Sequence, residues 1–323
     1  MKSFFSPFTI LVICTLIFCS GCTQVEDPAG GKAMAQKTIR ISGAFALYPM
    51  MITWSEEYHK IHPEVNFEIS AGGAGKGMTD TLTGMVDIGM VSRDISAAEV
   101  ARGARYVAVA KDAVVGTYNV KNPAVPAVSR RGLTQSELRQ IFVNRNITDW
   151  SAIGGSPGIP APVHVYTRSD ACGASDVWSK FLGNYTQDDL RGTGVYGDPG
   201  IVEAVKGDTG GIGYNNINFA YDMVSGRPVA GIAIVPLDLN GDGTIDTGED
   251  FYGTRADLIR AISENKYPTP PARELYLTTR DAFSGETREF VRWILTDGQN
   301  LTASAGYLPV DPAVAQKELN AIG

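Results

Sequence analysis

The chain has 323 residues, of which 44% are hydrophobic and 20% charged, a composition typical of a globular protein with room for two domains. Its formal net charge of −7 argues against a nucleic-acid partner, because binding to a phosphate backbone needs a broad basic surface. A small anion could still bind, but only at a local positive site within an acidic surface.

The N-terminus predicts export from the cytoplasm. Lys2 precedes an apolar run over residues 4–18, which is too short to span a bilayer comfortably and is typical of a signal peptide over residues 1–22. Small residues directly before Cys22 resemble a lipoprotein cleavage site, so Cys22 would become the lipid-modified first residue of the mature chain. Plain secretion is the alternative. The polar residues 23–36 predict a flexible tether.

Cysteine usage excludes a disulfide framework in the mature chain. Cys14 and Cys19 would leave with the signal peptide, and Cys22 would carry the lipid. Cys172 then remains alone, so no intrachain disulfide is expected despite the export.

Beyond the tether, short apolar runs alternate with segments of helical periodicity. Strands are predicted at 38–45, 65–70, 86–92, 105–110, 114–120, 162–167, 211–214 and 232–236. Helices are predicted at 49–59, from the glycine-rich segment to about 84, and at 134–142, 173–183, 199–206, 254–263, 284–297 and 311–321. This order predicts an α/β fold with mostly parallel sheets.

Four segments lie where a predicted strand ends and a loop follows: 43–49, 71–77, 91–95 and 168–174. In open α/β sheets, ligands bind at the carboxyl ends of the strands. Two of these loops are rich in glycine and alanine and open helices, so their backbone N–H groups are free to face an anion. Together with Arg168, they predict a protein that holds a small anion.

The same loops resemble those of a known family, the PstS-type phosphate-binding receptors of ABC importers. Six segments are similar and keep the family's order, namely SGAFALYP (42–49) and residues 68–96, 122–155, 167–182, 210–214 and 298–310. The resemblance implies a two-lobed type II periplasmic-binding-protein fold with the ligand cleft between the lobes. Lobe I would take residues 37–116 and 226–323, and lobe II would take residues 117–225.

The resemblance also implies a function and a site. The protein would be an extracytoplasmic, membrane-anchored, monomeric receptor that captures an inorganic oxyanion, phosphate first, and delivers it to a membrane permease without performing chemistry. The implied ligand groups are Arg168, Arg93, Ser92 and the backbone N–H groups of Ala46, Leu47, Tyr48, Ala74, Gly75, Cys172, Gly173 and Ala174.

The family's hydroxyl-bearing positions are apolar or thiol in this chain, at Ala46 or Leu47, Ala74, Cys172 and Ala174. A protonated phosphate needs an acceptor for its proton, whereas fully ionised sulfate does not. Asp94 and Asp170 are the nearest candidate acceptors.

Competing interpretations remain open for the site. Arg168 could pair with Asp170 instead of, or as well as, a ligand, and Arg93 and Lys76 could be solvated surface residues. The missing hydroxyls favour a non-transporting oxyanion sensor or surface protein with a degenerate cleft as one alternative. Cys172 at a helix N-terminus suggests another, an enzyme with a thiol of lowered pKa.

Residues 238–249 form a second, independent motif. Asp238, Asn240, Asp242, Thr244, Asp246 and Glu249 occupy positions 1, 3, 5, 7, 9 and 12 of a calcium-binding loop, with Gly243 at position 6. The preceding residues 229–235 predict a strand rather than the first helix of an EF-hand, so a single loop with a structural Ca²⁺, inserted in lobe I, is expected. An acidic surface hairpin is the alternative.

Overall fold

The computed structural model describes residues 36–154 and 160–323. The predicted signal peptide, Cys22 and all but the last residue of the predicted tether lie outside these residues, as do residues 155–159. Within the described ranges, no helix has both the length and the apolar character that crossing a bilayer requires.

The described residues form one mixed sheet flanked by helices. The strands are β1 Lys37–Gly43, β2 Val65–Ala71, β3 Ile88–Val91, β4 Ala104–Asn119, β5 His164–Arg168, β6 Thr193–Val195, β7 Gly211–Asn216, β8 Ile232–Ile234, β9 Ala272–Arg280 and β10 Leu308–Pro309. The helices are α1 Tyr48–Ile61, α2 Ala74–Thr83, α3 Ala97–Ala101, α4 Val125–Arg131, α5 Gln135–Phe142, α6 Gly173–Phe181, α7 Gly197–Gly207, α8 Ile217–Ala220, α9 Arg255–Ser263, α10 Gly285–Leu295 and α11 Pro312–Ile322.

The sheet is ordered β2-β1-β3-β9-β4-β7-β5-β6, and β8 and β10 also pair with β4. The outer pairs β1–β2, β1–β3, β5–β6 and β5–β7 are parallel. The central pairs, which involve β4 or β9, are antiparallel. The expectation of mostly parallel sheets therefore holds only at the two outer parts. The reason is that β4 runs from the first half of the sheet into the second and β9 runs back, so each is antiparallel to the strands beside it.

Two large hydrophobic cores lie along this sheet. The first core gathers buried side chains from residues 39–110 and 275–315. The second core gathers buried side chains from residues 113–272, together with Leu308. Each core is flanked by its own helices, as a two-lobed protein requires. The apolar residues between 234 and 272 pack in the second core, whereas residues 226–323 were predicted to belong to lobe I.

Two long strands join the cores. β4 contributes Ala110 to the first core and Ala113 to the second, and β9 contributes Ala272 to the second and Leu275 to the first. The sequence predicted two separate strands where β4 runs continuously, with one register irregularity opposite β9 between Ala108 and Ala110. The pair β4–β9 is therefore the connection about which the two halves could move.

Candidate functional site

The loops that were predicted to approach one another do so in the structure. Loop 1 (43–49) follows β1, loop 2 (71–77) follows β2, and loop 3 (168–174) follows β5. The N–H of Gly75 in loop 2 donates a hydrogen bond to the carbonyl of Ala171 in loop 3 at 3.0 Å. Because loops 1 and 2 belong to the half with the first core and loop 3 to the other half, the loops form a site between the two halves.

Ser92 follows β3 and lies against the first residue of α6. A Cβ atom on Gly173 would lie 2.1 Å from the carbonyl oxygen of Ser92 and 2.4 Å from its Oγ. Glycine is therefore required for this close approach. Ser92 is 2% exposed, so its hydroxyl is buried at the contact between the two halves.

Arg168 lies at the centre of the site, beneath loop 1. Its Cζ atom is 5.1 Å from the ring centroid of Phe45, a favourable position for a cation–π contact. The same ring covers Gly197 at the start of α7, where a Cβ would lie 2.9 Å from the Cζ of Phe45. Loop 1 thus closes over the guanidinium with an aromatic side chain.

Two carboxylates hold the guanidinium of Arg168. Nε and Nη2 donate to Oδ1 and Oδ2 of Asp170 at 2.7 and 2.5 Å, and Nη1 donates to Oδ2 of Asp198 at 2.7 Å. The side chain of Arg168 is 1% exposed. Burial alone would lower the pKa of Arg168, but Asp198 and the neighbouring Cys172 and Asp170 raise it by more, so the side chain stays charged.

The two carboxylates do not use every N–H bond of Arg168. A guanidinium has five N–H bonds, and three of them are used by the two carboxylates, so two remain as donors. The cluster of Arg168, Asp170 and Asp198 carries a formal charge of one minus two, or −1. An anion would therefore be held by directed hydrogen bonds and helix N-termini rather than by net positive charge.

The predicted backbone donors divide into two groups. Four are already engaged: Leu47 with Ala44, Tyr48 with Phe45, Gly75 with Ala171, and Cys172 with the side chain of Gln187. The other four are Ala46 in the turn Phe45–Leu47, Ala74 at the start of α2, and Gly173 and Ala174 at the start of α6. N–H groups in the first turn of a helix have no partner within the helix, so the second group is the better donor set.

The structure distinguishes the two candidate proton acceptors. The side chain of Asp94 is 83% exposed and accepts a hydrogen bond from Lys180 at 2.9 Å. Asp170 is 6% exposed and also accepts from the N–H of Gly197 at 3.1 Å. A Cβ on Gly73, which has a φ of +90°, would lie 2.8 Å from Oδ2 of Asp170. Asp170 is therefore the carboxylate that faces loop 2.

Arg93 and Lys76 are engaged elsewhere. Arg93 donates to both carboxylate oxygens of Glu99, at 2.7 and 3.1 Å, and the hydrogen bond to Glu99 raises the pKa of Arg93. It lines a cavity of about 450 Å³ beside the site, together with Lys180. Lys76 pairs with Asp80, four residues further along α2.

Comparisons with known proteins identify the family of the chain. The sequence pattern of the PBP superfamily domain matches residues 28–298 of the chain. The chain belongs to the PBP superfamily. Among curated relatives, Protein SphX from Synechococcus elongatus is 26% identical over 298 residues, which cover 88% of this chain and 81% of that protein. Phosphate-binding protein PstS from Xylella fastidiosa is 24% identical over an alignment of 360 residues, gaps included, which spans 98% of this chain and 97% of that protein.

A solved structure supports the same fold. The ABC-type phosphate transport receptor from Vibrio cholerae superposes with a TM-score of 0.61 at 20% identity, covering 85% of this chain and all of that one. The resemblance to PstS-type proteins and the predicted type II fold are thereby confirmed.

In this PBP-superfamily chain, Cys172 is buried at the start of α6. It is the N-cap of α6, and its Sγ accepts a hydrogen bond from the N–H of Ser175 at 3.4 Å. Burial raises the pKa of the Cys172 thiol, and the opposing effect of Arg168 is smaller. The enzyme alternative assumed a lowered pKa, and the shift of the Cys172 pKa is in the opposite direction because burial desolvates the thiol.

Three further groups contribute to the site and were not predicted from the sequence: Phe45, Asp198 and Tyr214. The hydroxyl of Tyr214 accepts from the backbone N–H of Arg168 at 3.2 Å and lies 2.7 Å from Oγ of Ser175. A signal for Asp198 was available, since an acid beside glycine and proline is typical of the first turn of a helix.

The predicted metal ligands all belong to the connection between β8 and α9, but in the described part of the chain no three His, Cys, Asp or Glu side chains are gathered tightly enough to hold a metal ion. The backbone of this segment contacts the turn between α4 and α5, where the N–H of Asp238 donates to the carbonyl of Leu133 at 3.1 Å. Val229–Val235 contains β8, as predicted, so no helix precedes the loop.

Proposed function

We propose that this chain is the extracytoplasmic receptor of an ABC importer and that its ligand is phosphate. The observation that carries the proposal is the meeting of loops from both halves around Arg168, which keeps two N–H bonds for a ligand. The curated relatives named as phosphate-binding proteins support the choice of phosphate, since one of them matches 98% of this chain. Closing of the halves over the anion would exclude water and strengthen each charge-assisted hydrogen bond.

Asp170 supports phosphate over sulfate. Its buried carboxylate has hydrogen-bond acceptors and no donor, so it can accept a hydrogen bond from the proton that a phosphate ligand carries. Sulfate carries no such proton at neutral pH and would face the carboxylate as a like charge. A site built to bind a ligand proton rejects the analogue that lacks it by about 10⁴-fold or more. In this proposal Asp170 accepts the hydrogen bond from the ligand proton, a role for which the resemblance to PstS-type receptors implies hydroxyl groups.

Delivery to a permease completes the proposed function. Lipid attachment at Cys22 would hold the receptor at the outer face of the membrane, with residues 23–36 as a tether. The receptor would act as a monomer, with its two halves closing about β4 and β9.

Calorimetry on the purified protein tests the ligand. We expect phosphate to bind with a stoichiometry of one and sulfate not to bind measurably. Asp170→Asn should weaken phosphate binding by about 10- to 100-fold, equivalent to losing one charge-assisted hydrogen bond of about 1.5–3 kcal/mol. The matched control is Asp94→Asn, since Asp94 is exposed and should leave affinity unchanged. Absence of phosphate binding by the folded protein would disprove the proposal.

Uptake measurements separate the receptor from a sensor. Cells that lack this chain should take up phosphate more slowly at limiting concentrations, and the Arg168→Lys variant should not restore the rate. Normal uptake without the chain, alongside tight binding in vitro, would favour the non-transporting alternative.

A further inference from the structure

The connection between β8 and α9 carries oxygen-bearing residues at the spacing that calcium loops use. Positions 1, 3, 5, 9 and 12 are Asp238, Asn240, Asp242, Asp246 and Glu249, and position 7 offers the carbonyl of Thr244. The sharp turn required at position 6 is present, since Gly243 has a φ of +77°. Hard oxygen donors of this kind suit Ca²⁺.

Two of these carboxylates are buried without a cation. Asp238 is 3% exposed and Glu249 is 5% exposed. Across residues 36–154 and 160–323, no Lys, Arg or His forms an ion pair with an acid of the loop. Buried carboxylates in proteins are normally paired with a base or bound to a metal.

The carboxylate of Glu249 points to the position of a cation within the loop. Its Oε1 accepts hydrogen bonds from the N–H groups of Leu239 and Asn240 at 2.8 and 3.1 Å, so the carboxylate lies against the first residues of the loop. Its Oε2 is buried and has no hydrogen-bond partner among residues 36–154 and 160–323. A buried carboxylate oxygen with no donor is costly, and a cation within the loop would satisfy it.

We propose that residues 238–249 bind one Ca²⁺ through these six positions. In the described part of the chain, no three acidic, His or Cys side chains are already gathered tightly enough to hold a metal. The loop oxygens instead accept from loop amides, as Asp238 does from Gly241 and Gly243 at 2.7 and 3.0 Å. Each carboxylate oxygen of Asp238 accepts one of these bonds and keeps a further lone pair, so the ion draws the ligands together while these turns persist.

The position of the loop gives the ion a structural role. The N–H of Ile245 donates to the carbonyl of Arg130 at 2.8 Å, and the N–H of Leu133 donates to the carbonyl of Pro236 at 2.9 Å. Calcium would therefore fix this connection against the end of α4, within the half that holds the second core. Its main effect is on stability, and the proposal is independent of which anion the cleft binds.

Titration of CaCl₂ into chelator-treated protein tests the site by calorimetry and by thermal melting. We expect a single site with a Kd in the range of about 10⁻⁴–10⁻³ M, as in other extracellular calcium modules. The melting temperature should rise with calcium and return with EGTA. Magnesium at the same concentration should have a much smaller effect, because it demands a tighter octahedral site.

Ligand variants locate the ion. Changing a residue that hydrogen-bonds to a metal ligand costs about 10- to 100-fold in metal affinity. Asp242→Ala and Glu249→Gln change ligands themselves and should each cost at least as much. Asp250→Asn, which alters an exposed acid one position beyond the loop, should bind calcium as the original chain does. If Glu249→Gln misfolds, Asp242→Ala decides, since Asp242 is exposed. No calcium response in the folded protein, or equal affinity in Asp242→Ala, would overturn the proposal.

Discussion

The guanidinium of Arg168 and the carboxylate of Asp198 form an ion pair at 2.7 Å, with side chains only 1% and 0% exposed. Asp198 also accepts hydrogen bonds from the backbone N–H and the Nδ2 of Asn216, both at 2.7 Å. A buried charge is tolerated only with such complete pairing. The pair connects the end of β5 to the start of α7 and fixes the direction in which Arg168 presents its remaining N–H bonds.

Replacement of Arg168 by alanine should destabilise the protein strongly. The change leaves Asp170 and Asp198 buried without a cation, which costs about 3–5 kcal/mol. Urea denaturation followed by circular dichroism measures the loss. Arg288→Ala is the control, because the side chain of Arg288 is 42% exposed and its ion pair with Glu289 lies at the surface, so a change within about 0.5 kcal/mol is expected. A variant at position 168 as stable as the original would contradict the buried pairing.

A methyl group at Gly173 should hold the two halves apart. The added Cβ would lie 2.1 Å from the carbonyl oxygen of Ser92, a backbone atom that cannot rotate away. We expect Gly173→Ala to reduce phosphate affinity clearly while it changes the melting temperature of the free protein little. With phosphate present, small-angle scattering should show a larger radius of gyration for Gly173→Ala than for the original chain.

Gly253→Ala is the matched control, since a Cβ there meets nothing within 4 Å. Equal phosphate affinity in Gly173→Ala and Gly253→Ala would mean that the contact between Ser92 and Gly173 is not part of the bound state.

The sequence was sufficient to predict the loops of the site but not the centre of the sheet. Loops 1, 2 and 3 were recognisable because small residues follow strand-like runs and precede helical periodicity. β4 was predicted as two strands because Lys111 and Asp112 interrupt its apolar pattern, and β9 was not predicted at all. The structure gives the reason: Asp112 and Arg273 are opposite one another in register and form a buried ion pair at 2.8 Å. Either charge alone argues against a buried strand, and only their pairing across 161 residues removes the conflict.

The same limit applies to the site itself. Asp170 could be proposed as a partner of Arg168 because it is two residues away, whereas Asp198 is 30 residues away. Its role depends on how α7 packs against β5 and β7, and local periodicity carries no information about that packing. Likewise, the helix N-terminus at Cys172 was evident from the sequence, but the burial that raises its pKa was not.

The thiol of Cys172 should be unreactive in the folded protein. Burial raises its pKa, so the protonated form is favoured at pH 8, and the thiol is 6% exposed. Iodoacetamide labelling followed by peptide mass spectrometry should modify Cys172 slowly in native buffer and rapidly in urea. Fast labelling of the native protein would restore the enzyme hypothesis.

The raised pKa of Cys172 also has a consequence for stability. A group with a folded pKa above its unfolded value of about 8.5 stabilises the fold fully below that pH, and the contribution is lost as pH rises through the folded pKa. Cys172→Ser should therefore show a smaller decline in the free energy of unfolding between pH 8 and pH 10 than the original chain. An equal decline would contradict the assignment.

Asp208 predicts the opposite pH dependence. Burial raises the pKa of this carboxyl, but hydrogen bonds from Tyr166, the N–H of Gly210 and His164 together lower it below its ordinary value. A lowered folded pKa means that the stabilisation is present above the unfolded pKa of about 3.9 and is lost as pH falls through the folded pKa. We expect Asp208→Asn to be less stable than the original chain at pH 7, with the difference shrinking towards pH 3.

Urea denaturation at both pH values measures this difference. The control is Asp281→Asn, which alters an exposed carboxylate and should leave stability nearly unchanged. If the stability difference for Asp208→Asn is independent of pH, it comes from packing rather than from the charged carboxylate.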